Sequence, residues 1–156
     1  MLNMKTIIIS AFPGVGKSYL VKSHARRKTI VDLDSNEYTL GHDKTGKVLG
    51  GGFPANYIHA INDQLGNADI LLVSIHKEVR HALQNAGLEF ILVYPEIKLK
   101  TEYIDRFVKR KDPQSFIDLF NDNWDQIIEQ LKSQEDCEHI VLKSGQYLSD
   151  VMTTKF

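Results

Sequence analysis

Apolar residues first gather at Thr6-Ile7-Ile8-Ile9, a short β-branched run without alternation, the pattern of a strand covered on both faces. Pro13, Gly14 and Gly16 interrupt it, and a helical pattern runs from Lys17 to Arg27. Further runs predict strands at 28–33, 69–75, 88–94 and 137–142. Helical patterns fill 55–65, 76–86, 99–111 and 146–152, with Pro54 opening the first and Gly87 closing the second. After Asp112-Pro113, the residues Phe116, Phe120, Trp124, Ile127 and Leu131 recur at spacings of three and four. That marks a long amphipathic helix whose stripe is a core face. The stretch from Ser35 to Gly52 is polar, holds five glycines and exceeds an ordinary connection; such loops are functional or mobile.

Strands alternating with helices predict an α/β fold with a parallel sheet and right-handed crossovers. Ligands on such sheets sit at the carboxyl ends of the strands, so the informative residues follow each strand. The 156 residues suit a single domain spanning 1–156, which at this size buries roughly 70% of its unfolded surface. Composition changes the picture little: 42% hydrophobic and 25% charged is an ordinary globular mix. The 19 basic and 20 acidic residues nearly cancel, which argues against a duplex nucleic-acid binder or a polybasic membrane binder. Cys137 alone forms neither an internal disulfide nor a thiolate zinc site, and points to a reducing compartment. The apolar runs are far shorter than the roughly 20 residues of a membrane span, and no secretory h-region is seen. The expectation is a cytoplasmic protein with no membrane partner. The six histidines show no metal spacing.

The chemistry starts after the first strand, at Ala11-Phe12-Pro13-Gly14-Val15-Gly16-Lys17-Ser18-Tyr19. Against G-x-x-x-x-G-K-[ST] only the first position differs, where Ala11 replaces glycine. Gly14 and Gly16 let backbone N–H groups turn inward as an anion nest, and the following helix adds its positive end. Lys17 reaches the β- and γ-phosphates, and the Ser18 hydroxyl suits Mg²⁺. Residues 13–19 are therefore the candidate nucleotide cradle. No N-K-x-D is present to read guanine, and Asp43-Lys44-Thr45-Gly46 lies in the polar loop, not after a strand.

Strand three ends in Ser74-Ile75-His76 without an acid, whereas strand two ends in Asp32-Leu33-Asp34. Alternation points both carboxylates to one side. Asp32 is the candidate Mg²⁺ ligand and Asp34 the group that orients or deprotonates an acceptor hydroxyl, both beside the substrate. Arg106 and Arg110 are spaced i, i+4 and share a face. Two guanidiniums there would clamp a transferring phosphoryl group. The alternative is a solvated face with Glu102 paired to Arg106 and Asp105 to Lys109.

The P-loop, the D-x-D after strand two and the late helix with spaced arginines resemble the P-loop kinases of nucleosides, nucleotides and small metabolites. The runs Ser-Ala-Phe-Pro-Gly-Val-Gly-Lys-Ser, Asp-Leu-Asp-Ser, Phe-Pro-Ala-Asn-Tyr and Asn-Asp-Asn-Trp are similar to small nucleotide-kinase-like proteins of bacteriophages and prophages. The resemblance implies a three-layer P-loop NTPase fold with a five-stranded parallel sheet in the order 2-3-1-4-5, ATP as donor, and a short helical lid at about 98–113. It also implies that Arg80 helps hold an acceptor phosphate and that Lys143 to Tyr147 touch the adenine. Phe53 and Tyr57 open the helix over the expected acceptor pocket, where aromatic rings would stack on a base, with core packing the expected role of at least one of them. The leading expectation is an ATP- and Mg²⁺-dependent phosphotransferase with a nucleotide-like acceptor. A hydroxyl acceptor (a polynucleotide 5′ end, a nucleoside or a small metabolite) and an ATP-binding regulatory module are the alternatives.

Overall fold

The computed structural model describes residues 5–23, 29–33, 35, 38 and 52–152. Its elements are β1 (Ile7–Ala11), α1 (Lys17–Ser23), β2 (Ile30–Asp32), α2 (Ala55–Gln64), β3 (Ile70–Val73), α3 (Lys77–Asn85), β4 (Ile91–Pro95), α4 (Lys100–Lys109), α5 (Gln114–Lys132), β5 (Glu138–Leu142) and α6 (Leu148–Met152). A 3₁₀ turn, Ile97–Leu99, leads into α4. All strand pairs are parallel and the order is β2-β3-β1-β4-β5, the predicted three-layer α/β arrangement. Asp34 and most of the Gly-rich loop lie outside the described residues.

The continuous apolar runs are explained by burial: Ile9, Leu71, Leu72, Leu92 and Val93 have no exposed surface. The strand β1 reaches two residues further than its β-branched run, because Ser10 and Ala11 pair with β3 and β4 respectively. Strand β4 likewise runs through Pro95, its last residue, which pairs with Leu142 of β5 beyond the point where β1 stops pairing with β4. Helix α3 ends as predicted. Gly87 takes φ +71°, its N–H bonds Gln84 O at 2.9 Å, and Leu88 N–H bonds Leu83 O at 2.9 Å, the paired bonds of a Schellman end.

The α5 stripe differs from the prediction. The buried residues are Ile117, Phe120, Trp124, Ile128 and Leu131, so Ile117 and Ile128 take the core places expected for Phe116 and Ile127. The apolar arc is wider than one row, and the helix kinks at Asn123 (φ −122°, ψ 18°), whose side-chain amide donates to Leu119 O at 2.9 Å. One row enters the core. Phe116 and Ile127 remain half-buried beside a cavity.

Under the phosphate loop lies an aromatic cluster. The Phe12 ring stands edge-on to Tyr103, Phe120 and Trp124 at centroid distances of 5.7, 5.3 and 5.5 Å, and Phe107 meets Phe120 at 5.4 Å. Tyr103 and Phe107 are fully buried, so α4, the expected lid helix, is anchored into the core that carries the loop. Burial of its ring pushes the Tyr103 phenol up to about 12.

Candidate active site

Ala11 explains why the loop tolerates a residue other than glycine at its first position: it is the last residue of β1, paired with Val93, in ordinary strand geometry. Gly14 and Gly16 cannot be replaced so easily. They have φ of +82° and +88°, and a Cβ would come within 3.0 Å of Phe107 Cε1 and Tyr147 Cδ1 respectively. The loop is thus closed in by α4 on one side and by the turn before α6 on the other. Leu148 N–H donates to Val15 O at 2.9 Å. Val15 is fully buried, and Tyr19 is 64% exposed on α1.

Beside the loop opens a cavity of about 470 Å³. Its polar lining includes Lys17, Asp32, Ser35, Ser74, His76, Lys77, Arg110 and Gln130, and its apolar wall Leu33, Ile75, Phe116, Leu119, Phe120 and Ile127, with Ala11 and Pro13 from the loop. The expected neighbours Lys17, Asp32 and Arg110 are therefore brought together, each from a different element. Three basic side chains face one carboxylate among the described lining residues, which favours an anionic occupant. Burial holds the His76 imidazole below the ordinary histidine value, against the opposing pull of Glu78. His76 pairs with Ser74 Oγ at 2.8 Å and packs edge-on to Phe53 at 5.3 Å.

Other predicted residues are placed elsewhere. Tyr57 is fully buried; its hydroxyl donates to Leu33 O at 2.7 Å and accepts from Ser74 N–H at 3.1 Å. It ties the ends of β2 and β3 rather than presenting a face to a base. Phe53 covers Tyr57 and His76 and is not among the cavity-lining residues. Arg80 corrects the expectation that it holds an acceptor phosphate. It is 2% exposed, and its guanidinium donates to Ile75 O at 3.0 Å and to Gln134 Oε1. A buried guanidinium needs acceptors, and these two hold it in the wall behind His76.

The two arginines of α4 part company. Arg110, at the end of the helix, pairs with Asp112 at 2.7 Å, 44% exposed, on the cavity rim. Arg106 is 12% exposed and lies over the loop: Nη1 donates to Gly14 O at 2.9 Å and Nη2 to Glu102 Oε2 at 2.9 Å. Its guanidinium is 4.3 Å from the Tyr103 ring centroid and 4.1 Å from that of Tyr147. The helix pair Glu102–Arg106 is thus formed, but inward. The Ser144 hydroxyl at 2.5 Å and the Gly145 N–H at 3.0 Å also donate to Glu102. These donors, with Arg106, hold its carboxyl below the usual carboxylate range.

The Ser18 hydroxyl and the Asp32 carboxylate are oxygen donors of the kind that Mg²⁺ takes. This ion is held by one or two protein oxygens plus substrate phosphates rather than by a full cage. No group of three or more His, Cys, Asp or Glu gathers as a metal site among the described residues. No helix among them is long and apolar enough to cross a membrane.

No protein-family model and no curated protein matches the chain. Among solved structures it is similar to a gluconokinase from Sinorhizobium meliloti 1021, with a TM-score of 0.54 and 16% identity, over 98% of this chain and 90% of that one. The chain shares the fold of that structure. The same architecture is reached with about one residue in six in common, and the likeness concerns the fold alone.

Sequence reasoning missed His76 and Lys77, and for Glu102 it gave the pair with Arg106 but neither of the other partners. The first two follow β3, where the rule of strand carboxyl ends points, and were passed over because no acid stands there. Nothing in the spacing of Glu102 signals Ser144 and Gly145, which lie 42 and 43 residues away.

Proposed function

We propose that the chain is an ATP- and Mg²⁺-dependent phosphotransferase whose acceptor is nucleotide-like, with a nucleoside monophosphate as the simplest case. The observation that carries this reading is one cavity shared by Lys17 and Pro13 of the loop, the cations Lys77 and Arg110, and the aromatic wall of Phe116 and Phe120. A flat, partly apolar body carrying negative charge complements such a lining.

In this reading the loop amides and Lys17 hold the β- and γ-phosphates, and Ser18 with Asp32 hold Mg²⁺, which supplies charge neutralisation on the phosphates when bound. Arg110 exchanges Asp112 for the transferring group and stabilises its charge. Lys77 attracts the acceptor phosphate in place of Arg80. Asp34 orients the acceptor. Tyr57 acts through Leu33 and Ser74, keeping the two strand ends at a fixed separation.

A second reading, a kinase with a hydroxyl acceptor, is favoured by the fold likeness to a gluconokinase and by a carboxylate, Asp32, in the cavity. The apolar wall weighs against a polyol, whose hydroxyls would lose water there without partners.

The test is ADP release from Mg-ATP against nucleoside monophosphates, nucleosides, small polyols and 5′-hydroxyl oligonucleotides, with Lys17→Ala as the blank. A Lys17-dependent signal with monophosphates is expected. A signal confined to uncharged alcohols transfers the assignment to the second reading. Silence with ATP binding intact leaves a nucleotide-binding regulatory module.

A further inference from the structure

Three consecutive carbonyls of the phosphate loop are engaged from outside the nest. Gly14 O accepts from Arg106 Nη1 at 2.9 Å, Val15 O from Leu148 N–H at 2.9 Å, and Gly16 O from Leu20 N–H at 3.0 Å. The C=O and N–H of a trans peptide point in opposite directions. Holding Gly14 O outward therefore turns the N–H of Val15 inward, and holding Val15 O outward does the same for Gly16.

The bond at Gly14 differs in kind from the other two, because its donor is a cation. Charge-assisted bonds are about twice as strong as neutral ones, and a bond at one end of a peptide polarises the other. The Val15 N–H becomes a better donor to an anion because Gly14 O is bound. Arg106 has little freedom to leave: two tyrosine rings enclose its guanidinium, and Glu102 takes its second nitrogen. Glu102 is itself fixed by Ser144 and Gly145.

We propose that Arg106, oriented by Glu102, is a positioning residue that pre-organises the phosphate loop by holding the Gly14 carbonyl outward, instead of a cation that reaches the transferred group. The proposal rests on the loop being the phosphate site. It adds that the strength of that site is set from the α4 side, through a residue that never touches the phosphate.

Binding of ADP, ATP and inorganic tripolyphosphate, measured by calorimetry, tests it; tripolyphosphate has no base and so reports on the nest alone. Arg106→Ala is expected to weaken all three by a similar factor, about tenfold. Glu102→Gln is expected to weaken them about threefold. The second sign is decisive, because deleting a negative charge near an anion site would by simple Coulomb attraction tighten binding. Tighter binding in Glu102→Gln overturns the proposal. So does an Arg106→Ala protein that binds all three normally and loses only turnover, or one that loses ADP but keeps tripolyphosphate. Should Arg106→Ala fail to fold, Arg106→Gln and Glu102→Gln carry the same comparison. Lys17→Ala separates the two levels: tripolyphosphate binding indifferent to Lys17 refutes the phosphate site itself.

Discussion

Tyr57 and Leu33 are joined by a 2.7 Å hydrogen bond from a fully buried phenol to the carbonyl that follows β2. The phenol oxygen in turn accepts from Ser74 N–H after β3. One side chain on α2 thus sets the spacing of two strand ends that contribute Asp32, Leu33, Ser74 and His76 to the cavity. Tyr57→Phe leaves a carbonyl and an amide without their partner at almost unchanged volume. A loss of about 1–3 kcal/mol is expected, read from urea unfolding. A change within about 0.5 kcal/mol, the range of an ordinary surface substitution, would contradict this role.

Gly16→Ala combines two penalties at the phosphate loop. The φ of +88° is one that L residues rarely adopt, and the new Cβ would stand 3.0 Å from Tyr147 Cδ1. Nucleotide binding is expected to fall more than about tenfold, with a stability loss of about 1–2 kcal/mol. Removing the ring as well, in Gly16→Ala with Tyr147→Ala, relieves the contact and not the dihedral, so most of the binding loss persists. Full recovery in the double variant would show that contact alone matters.

The buried parallel strands were legible because continuous apolar runs such as Ile70-Leu71-Leu72-Val73 leave few alternatives, whereas their order came from the resemblance to P-loop kinases and not from the runs. The loop was legible because its glycines answer to local backbone demands. What spacing along one helix does not carry is what lies across from it. Arg106 and Arg110 are four residues apart, yet the first meets the Gly14 carbonyl 92 residues away and the second folds onto Asp112 past the helix end. Arg80 is expected at an acceptor phosphate until Gln134, 54 positions later, is brought against it. The polar contacts that place the site side chains are long-range, and periodicity records only whether a position faces in or out.

Arg110 and Asp112 predict a split between chemistry and stability. Exposed ion pairs contribute about 0–1 kcal/mol, so Asp112→Asn should leave unfolding nearly unchanged while freeing Arg110 from its 2.7 Å partner. Arg110→Ala should lower kcat about 100-fold or more, with ADP affinity within about twofold. Steady-state kinetics and ADP binding on the same preparations check both. Equal losses in kcat and ADP affinity would place Arg110 in nucleotide binding instead.

Glu102 predicts an acid-side dependence with a definite sign. Ser144, Gly145 and Arg106 lower its value in the fold from the usual 4.5. The folded protein therefore binds that proton less readily than the unfolded chain. The stabilisation is fully present above the unfolded value and is lost as pH falls through the lower, folded one. Between about pH 5 and pH 3 the wild type should lose stability more steeply than Glu102→Gln. Parallel urea-midpoint profiles for the two proteins would remove Glu102 from the account.

Lys111 closes α4 in a conformation that suits glycine. Its φ is +61°; Lys111 N–H bonds Val108 O at 3.0 Å and Asp112 N–H bonds Phe107 O at 3.1 Å, the same paired ending that Gly87 gives α3. A side chain in this region costs about 1–2 kcal/mol relative to ordinary backbone angles, while glycine loses roughly 0.5–1 kcal/mol through its freer unfolded state. Lys111→Gly is therefore expected to stabilise the protein modestly, by up to about 1 kcal/mol. Lys111→Val, β-branched at a positive φ, should destabilise it by more than that. Chemical unfolding of the two variants gives the comparison. The opposite order would mean that the turn between α4 and α5 relaxes out of the left-handed region, and that Arg110 is not held at a fixed point on the cavity rim.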